Sequence, residues 1–124
     1  MSKIKLLTVL AGLLFLMGTG MAGIQDSDRF QRRWNHVSES SAVIYWQLDD
    51  ISKSATSYVE YGTTEKPDKR TVETTKSRWA HLHRLTGLEA GTTYFYRMVV
   101  IDPADGTRSE SELLKITPRK QQTT

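Results

Sequence analysis

The sequence predicts an all-β sandwich of about seven antiparallel strands. Short runs rich in β-branched and aromatic residues recur between residues 34 and 118, and each stops at a turn signal. Over the same span no stretch keeps an amphipathic 3.6 period long enough for a helix. With 124 residues the chain has the size of one ordinary domain and can build one core.

The first element is not part of that sandwich. Lys3 and Lys5 are followed by an uncharged run from Leu6 to Ile24, whose dense apolar part, Leu6 to Met17, is twelve residues long. Charged start, short apolar stretch and the small residues Gly20 and Ala22 together predict a signal-peptide helix over residues 1–22, cleaved before Gly23. An uncleaved anchor is the alternative, but a spanning helix needs about 20 predominantly apolar residues and this stretch is broken by four glycines. Either way the positive residues stay inside and the domain is carried out, to the periplasm or outer surface of a bacterium. Membrane contact is expected only if the leader stays attached.

Removing two lysines with the leader drops the formal charge from +3 to +1, because the 17 basic residues become 15 against 14 acids. A nucleic-acid binder would carry a concentrated basic patch, so nucleic acid is not an expected partner. Cysteine is absent, which removes disulfide scaffolds, thiol nucleophiles, Cys-ligated metals and lipobox acylation together.

Residues 23–33 are polar and aperiodic and read as an N-terminal tether. Ala42 to Leu48 is the first clear strand and stops at Asp49-Asp50. Ala55 to Tyr61 alternates and ends at Gly62-Thr63-Thr64, Trp79 to Leu85 ends at Thr86-Gly87, and Thr92 to Ile101 ends in Asp102-Pro103-Ala104-Asp105-Gly106. Glu112 to Thr117 is a fifth strand, closed by Pro118, and Trp34 to Val37 and Arg70 to Thr75 are weaker candidates for two more. Residues 119–124 form a tail.

Trp46 in an early strand, then Tyr58-Val59-Glu60-Tyr61-Gly62, then the run Leu85-Thr86-Gly87-Leu88-Glu89-Ala90-Gly91-Thr92-Thr93-Tyr94-Phe95-Tyr96-Arg97 resemble the fibronectin type III domain, an immunoglobulin-like β-sandwich. The match covers about Trp34 to Pro118. By that resemblance Tyr94 is the residue of a tyrosine corner, whose hydroxyl satisfies backbone groups at a β-arch. The Val-Glu-Tyr-Gly-Thr-Thr and Gly-Thr-Thr-Tyr-Phe-Tyr-Arg segments are most similar to the noncatalytic domain that precedes the catalytic domain of purple acid phosphatases. The Asp-x-Asp, Gly-Asp and Gly-Asn-His segments that bind metals in that family have no match here, so the resemblance carries no phosphatase activity with it.

Side chains alternate across a strand. With Trp46 and Tyr94 inward, the expected core is Ala42, Ile44, Trp46, Val59, Tyr61, Leu85, Leu88, Tyr94, Tyr96, Met98, Val100, Leu114 and Ile116. The outward set on three neighbouring strands is Tyr58 and Glu60, then Phe95, Arg97, Val99 and Ile101, then Leu113 and Lys115. Clustered exposed apolar residues mark an interaction surface, the alternative being that the tether or a neighbouring strand covers them.

His81 and His83 share a strand face, as metal ligands on a β-ribbon do, but parity with Leu85 turns both toward the interior, where a hydrogen-bonded pair is the simpler reading. His36 lies on the uncertain first strand. No Gly-x-Ser-x-Gly, phosphate-cradling loop, His-Glu-x-x-His or Arg-Gly-Asp is present, and Asp49-Asp50 is ordinary turn chemistry. No catalytic residue and no cofactor are expected. The sequence therefore points to an exported noncatalytic module that binds through Tyr58, Glu60, Phe95, Arg97, Val99, Leu113 and Lys115. Its partner is another protein or a second copy rather than a glycan, because no convergent polar groups for a sugar can be placed. With six residues after Pro118, the partner is expected to be reached non-covalently. A stranded accessory domain of a metallophosphatase or glycosidase is the alternative, and a His81/His83 metal protein a weaker one.

Overall fold

Side-chain alternation survives in the folded chain as two packed sheets. A computed structural model describes residues 24–25 and 29–120. The expected leader and the end of the tail lie outside them. The strands are β1 (Ile24–Gln25), β2 (Gln31–Val37), β3 (Ala42–Gln47), β4 (Thr56–Gly62), β5 (Lys69–Arg70), β6 (Ala80–Leu85), β7 (Tyr94–Ile101), β8 (Arg108–Glu110) and β9 (Leu114–Ile116). The smaller sheet has the order β2-β3-β6 and the larger β1-β8-β7-β4-β5, with β9 pairing the start of β7. Among the described residues every strand pairing is antiparallel except β1 with β8.

Trp46 anchors the core at 0% exposure, with Phe30 6.0 Å away ring to ring. The expected core set is buried apart from Tyr61 and Leu114, which pack against it from partly exposed positions, while Phe30, Leu48 and Ala55 join it. Phe30 and Gln31 to Arg33 thus belong to the sandwich and not to a tether. Their strand was hidden by a bulge: the register with β3 slips between Gln31 and Trp34, and Arg32 takes a φ of 47°. An extra residue breaks the period of two that a reader of sequence follows.

The tyrosine corner is present. The Glu89 N–H donates to the Tyr94 hydroxyl at 2.8 Å, and Gly87 and Gly91 supply the left-handed φ values, 70° and 80°, that the arch before β7 requires. The expected fifth strand, Glu112 to Thr117, is the shorter β9, and β8 before it is an additional strand. Glu110 pairs Val99 while Leu114 pairs Tyr96, so β8 and β9 are joined through one extra residue. Ser111 fills the gap in the ladder: its N–H donates to the Met98 carbonyl and its hydroxyl accepts from the Met98 N–H, each at 2.9 Å. Arg70 to Thr75 is strand only at Lys69–Arg70, beyond which Thr71 and Thr74 stitch the segment to β4 through their backbone and hydroxyl groups.

Candidate interaction faces and the buried histidine pair

On the larger sheet, register places Glu60 between Arg70 and Arg97, and Val99 between Tyr58 and Glu110. The parity expected for these residues holds, but the apolar ones are not exposed. Tyr58 is 5% and Val99 0% accessible. The Arg70 guanidinium lies 4.6 Å from the Tyr58 ring centre, and Arg108 donates to the Tyr58 hydroxyl at 2.7 Å.

Above them runs an ion-pair lattice. Arg108 Nη2 reaches Glu110 at 2.7 Å and Glu60 at 3.0 Å, and Arg97 reaches the same two acids at 3.4 and 3.7 Å. Burial alone would lower the pKa of Arg108, but its bonds to Glu110 and Glu60 outweigh that and raise it. Phe95 and Arg97 remain half-buried, and Lys115 is exposed with its ammonium 5.5 Å from the Phe95 ring. Leu113 falls in the bulge between β8 and β9 and is not on a strand. Arg108 and Glu110 escape the sequence reading because it begins the last strand at Glu112, beyond β8, and Arg70 because its candidate strand, Arg70 to Thr75, could not be paired with β4 from sequence.

The outer face of the smaller sheet is different. Trp34 pairs Tyr45 and Tyr45 pairs Leu82, so the three form one row across β2, β3 and β6. Trp34 is 50% and Leu82 57% exposed. The Trp34 and Tyr45 rings stack at 5.3 Å, and Gln47 donates to the Tyr45 hydroxyl at 2.7 Å. The row on one side is His36, Val43, Arg84 and on the other Gln31, Gln47, Ala80. No acid stands in these nine positions. Parity with Trp46, His81 and His83 could have shown Tyr45 and Leu82 as outward. Trp34 lies on the candidate strand Trp34 to Val37, whose polar Asn35 and His36 leave its inward face unmarked in the sequence.

Between the sheets, His81 and His83 are 2% and 6% exposed and stack on Trp46 at 5.1 and 5.6 Å. His81 Nδ1 lies 2.6 Å and His83 Nε2 2.8 Å from the Ser57 hydroxyl oxygen, and His83 Nδ1 lies 3.1 Å from Thr71 Oγ1. Burial holds both imidazoles down to about 4. For His81 the neighbouring His83 adds to this, and a backbone contact to Arg78 opposes it. A serine bonded to a histidine resembles an activated nucleophile, but Ser57 is 0% exposed and no substrate atom can reach it. The nitrogens that would ligate a metal converge on the serine oxygen, and His36 sits on the opposite face of the sheet. The pair is built as a hydrogen-bonded core element.

Comparison with known proteins follows the same lines. The family model described as purple acid phosphatase, N-terminal domain, matches residues 28–117. No curated protein matches the chain. A solved structure described as a myokine is 19% identical with a TM-score of 0.55, covering 74% of this chain and 98% of its own. The sixth fibronectin type III domain of human fibronectin type III domain containing protein 3 is 20% identical with a TM-score of 0.53, covering 78% and 91%. At these identities the likeness establishes the fold, a fibronectin type III-like sandwich.

Proposed function

This chain belongs to the purple acid phosphatase N-terminal domain family, and from that premise we propose that it is an exported docking module that binds another protein through the outer face of β2, β3 and β6. The family and the fold are those of a noncatalytic accessory domain. One observation carries the docking reading: Trp34, Tyr45 and Leu82 lie in register across the centre of a sheet face, with the outer two at least half exposed. Isolated apolar residues on a surface are ordinary, whereas a contiguous row flanked by polar positions is the pattern of an interface. Arg84 and His36 border the row and no acid does, which favours a protein partner that presents an apolar side chain beside carboxylates. Export rests on Lys3, Lys5 and the apolar run that follows.

The larger sheet's outer face is the second reading. Its apolar centre at Tyr58 and Val99 is capped by arginines, but Phe95, Arg97 and Lys115 at the β9 end are accessible at least in part. Photo-crosslinking in the exporting cell separates the two. A photoreactive residue at Leu82 is expected to give a discrete product that Arg84→Glu abolishes, with none from Asp105 in the far loop. A product from Phe95 and none from Leu82 would move the docking site to the larger sheet. A product at twice the chain's mass would identify a second copy as the partner.

A further inference from the structure

We propose that His81, Ser57 and His83 form an acid-labile latch that holds β6 and residues 69–75 onto β4 while both imidazoles are neutral, and lets them separate when either becomes charged. The latch joins three segments. Ser57 is on β4, both histidines are on β6, and Thr71, 3.1 Å from His83 Nδ1, also accepts the Val59 N–H of β4 at 2.9 Å.

Proton counting makes the arrangement specific for neutral rings. The Ser57 hydroxyl carries one proton and can donate to one imidazole only, so the other must donate to it. With both rings neutral this is satisfied when His81 Nδ1–H donates to Ser57 and Ser57 donates to His83 Nε2, which leaves His81 Nε2 without a proton and His83 Nδ1–H free to donate to Thr71. When both are charged, His81 Nδ1 and His83 Nε2 are both donors, and the serine proton is left facing two N–H groups. Charging His81 alone also turns its Nε2, already buried without a hydrogen-bond partner, into a compulsory donor.

The groups that favour a proton on the pair, the Arg78 backbone beside His81 and the Trp46 ring face, are outweighed by burial. From β3 the facing side chain is Trp46, stacked on both rings. From β4 it is Ser57, since Tyr58 and Glu60 point to the outer face. From the segment after β5 it is Thr71, while Arg70 lies over Tyr58 and Glu73 bonds Thr56 at the surface at 3.0 Å. Before β6 stands Arg78, whose charge further disfavours a proton on His81. Arg84 on β6 points outward. Among the described residues no carboxylate faces either ring, so a proton placed there is a buried charge without a counter-ion.

The direction follows. Histidines held at about 4 in the fold and near 6.5 in the unfolded chain leave stability complete above the unfolded value and remove it as pH falls from 6.5 toward 4. Leu82 lies between the two histidines on β6, so opening the latch would also break the Trp34–Tyr45–Leu82 row. That consequence rests on the docking reading above, whereas the latch rests on the core alone.

The test needs no partner. His81→Asn and His83→Gln keep a side-chain amide near the bonded nitrogen and remove the titration. The unfolding constant of the natural chain, measured in urea from pH 7.5 to 4.5, is expected to rise on the order of 1,000-fold more than that of the double variant, each histidine contributing a factor of several tens. Hydrogen exchange at the lower pH should accelerate first in residues 69–85. Parallel pH profiles for the two proteins would overturn the latch. If the double variant fails to fold, NMR of the natural chain decides: both imidazoles must stay neutral in the folded protein below pH 6, and a folded-state titration above that sinks the proposal.

Discussion

The Tyr58 hydroxyl accepts a hydrogen bond from Arg108 at 2.7 Å, and this bond sets the character of the larger sheet's outer face. Arg108 closes over the ring from β8 while also holding Glu60 and Glu110, so a row of apolar side chains is roofed by paired charges. Glu110, only 6% exposed in its side chain, depends on the two arginines for its compensation.

Arg108→Ala should therefore destabilise the fold by about 1–3 kcal/mol, because the carboxylate of Glu110 loses its shorter ion pair and Tyr58 loses its cover. A lower urea midpoint together with new binding of a hydrophobic dye would show both effects. If Arg108→Ala left the midpoint unchanged, the lattice would be decoration on a self-sufficient sheet.

Tyr94→Phe removes one hydroxyl and leaves the Glu89 N–H without its acceptor, at a cost of about 1–2 kcal/mol. Urea unfolding of the variant measures it directly.

Ser111→Ala deletes the acceptor of the Met98 N–H inside the bulge that joins β8 and β9. An orphaned backbone donor in a buried strand should cost about 1–3 kcal/mol, and exchange of the Met98 amide should speed up more than that of Val100.

The acid response should occur in two windows. Glu112 is held below its ordinary pKa, chiefly by its bond to Arg33, so its contribution is present above the unfolded carboxylate value and is lost as pH falls below it. The histidine contribution is lost earlier, between 6.5 and about 4. Glu112→Gln should flatten only the lower part of the stability profile, in a pH series of urea unfolding.

Where a strand was clean, its sequence told nearly everything. Ala42, Ile44 and Trp46 alternate without interruption, and β3 runs as read, ending one residue earlier, at Gln47. The Leu-x-Gly-Leu run located the corner at Tyr94. Legibility failed at bulges, because each inserts a residue that resets parity: Trp34 to Val37 is strand as expected, but the bulge at Arg32 hid the start of β2, and the bulge at Ser111 hid β8 with Arg108 and Glu110. The outward set on β4 and β7 was assigned to the right face, but what covers a face comes from other strands. Tyr58 was legible as outward and illegible as buried, since Arg70 and Arg108 are 12 and 50 residues away along the chain.

Oxidative footprinting of Trp34, compared between the purified chain and the exporting cell, tests the docking face most directly. Trp34 is half exposed in the isolated domain and should be modified readily there. In the cell it should be protected together with Leu82, and Arg84→Glu should restore its reactivity. Equal modification of Trp34 in both settings would mean that the row across β2, β3 and β6 is open to solvent where the protein works, and would contradict the docking role.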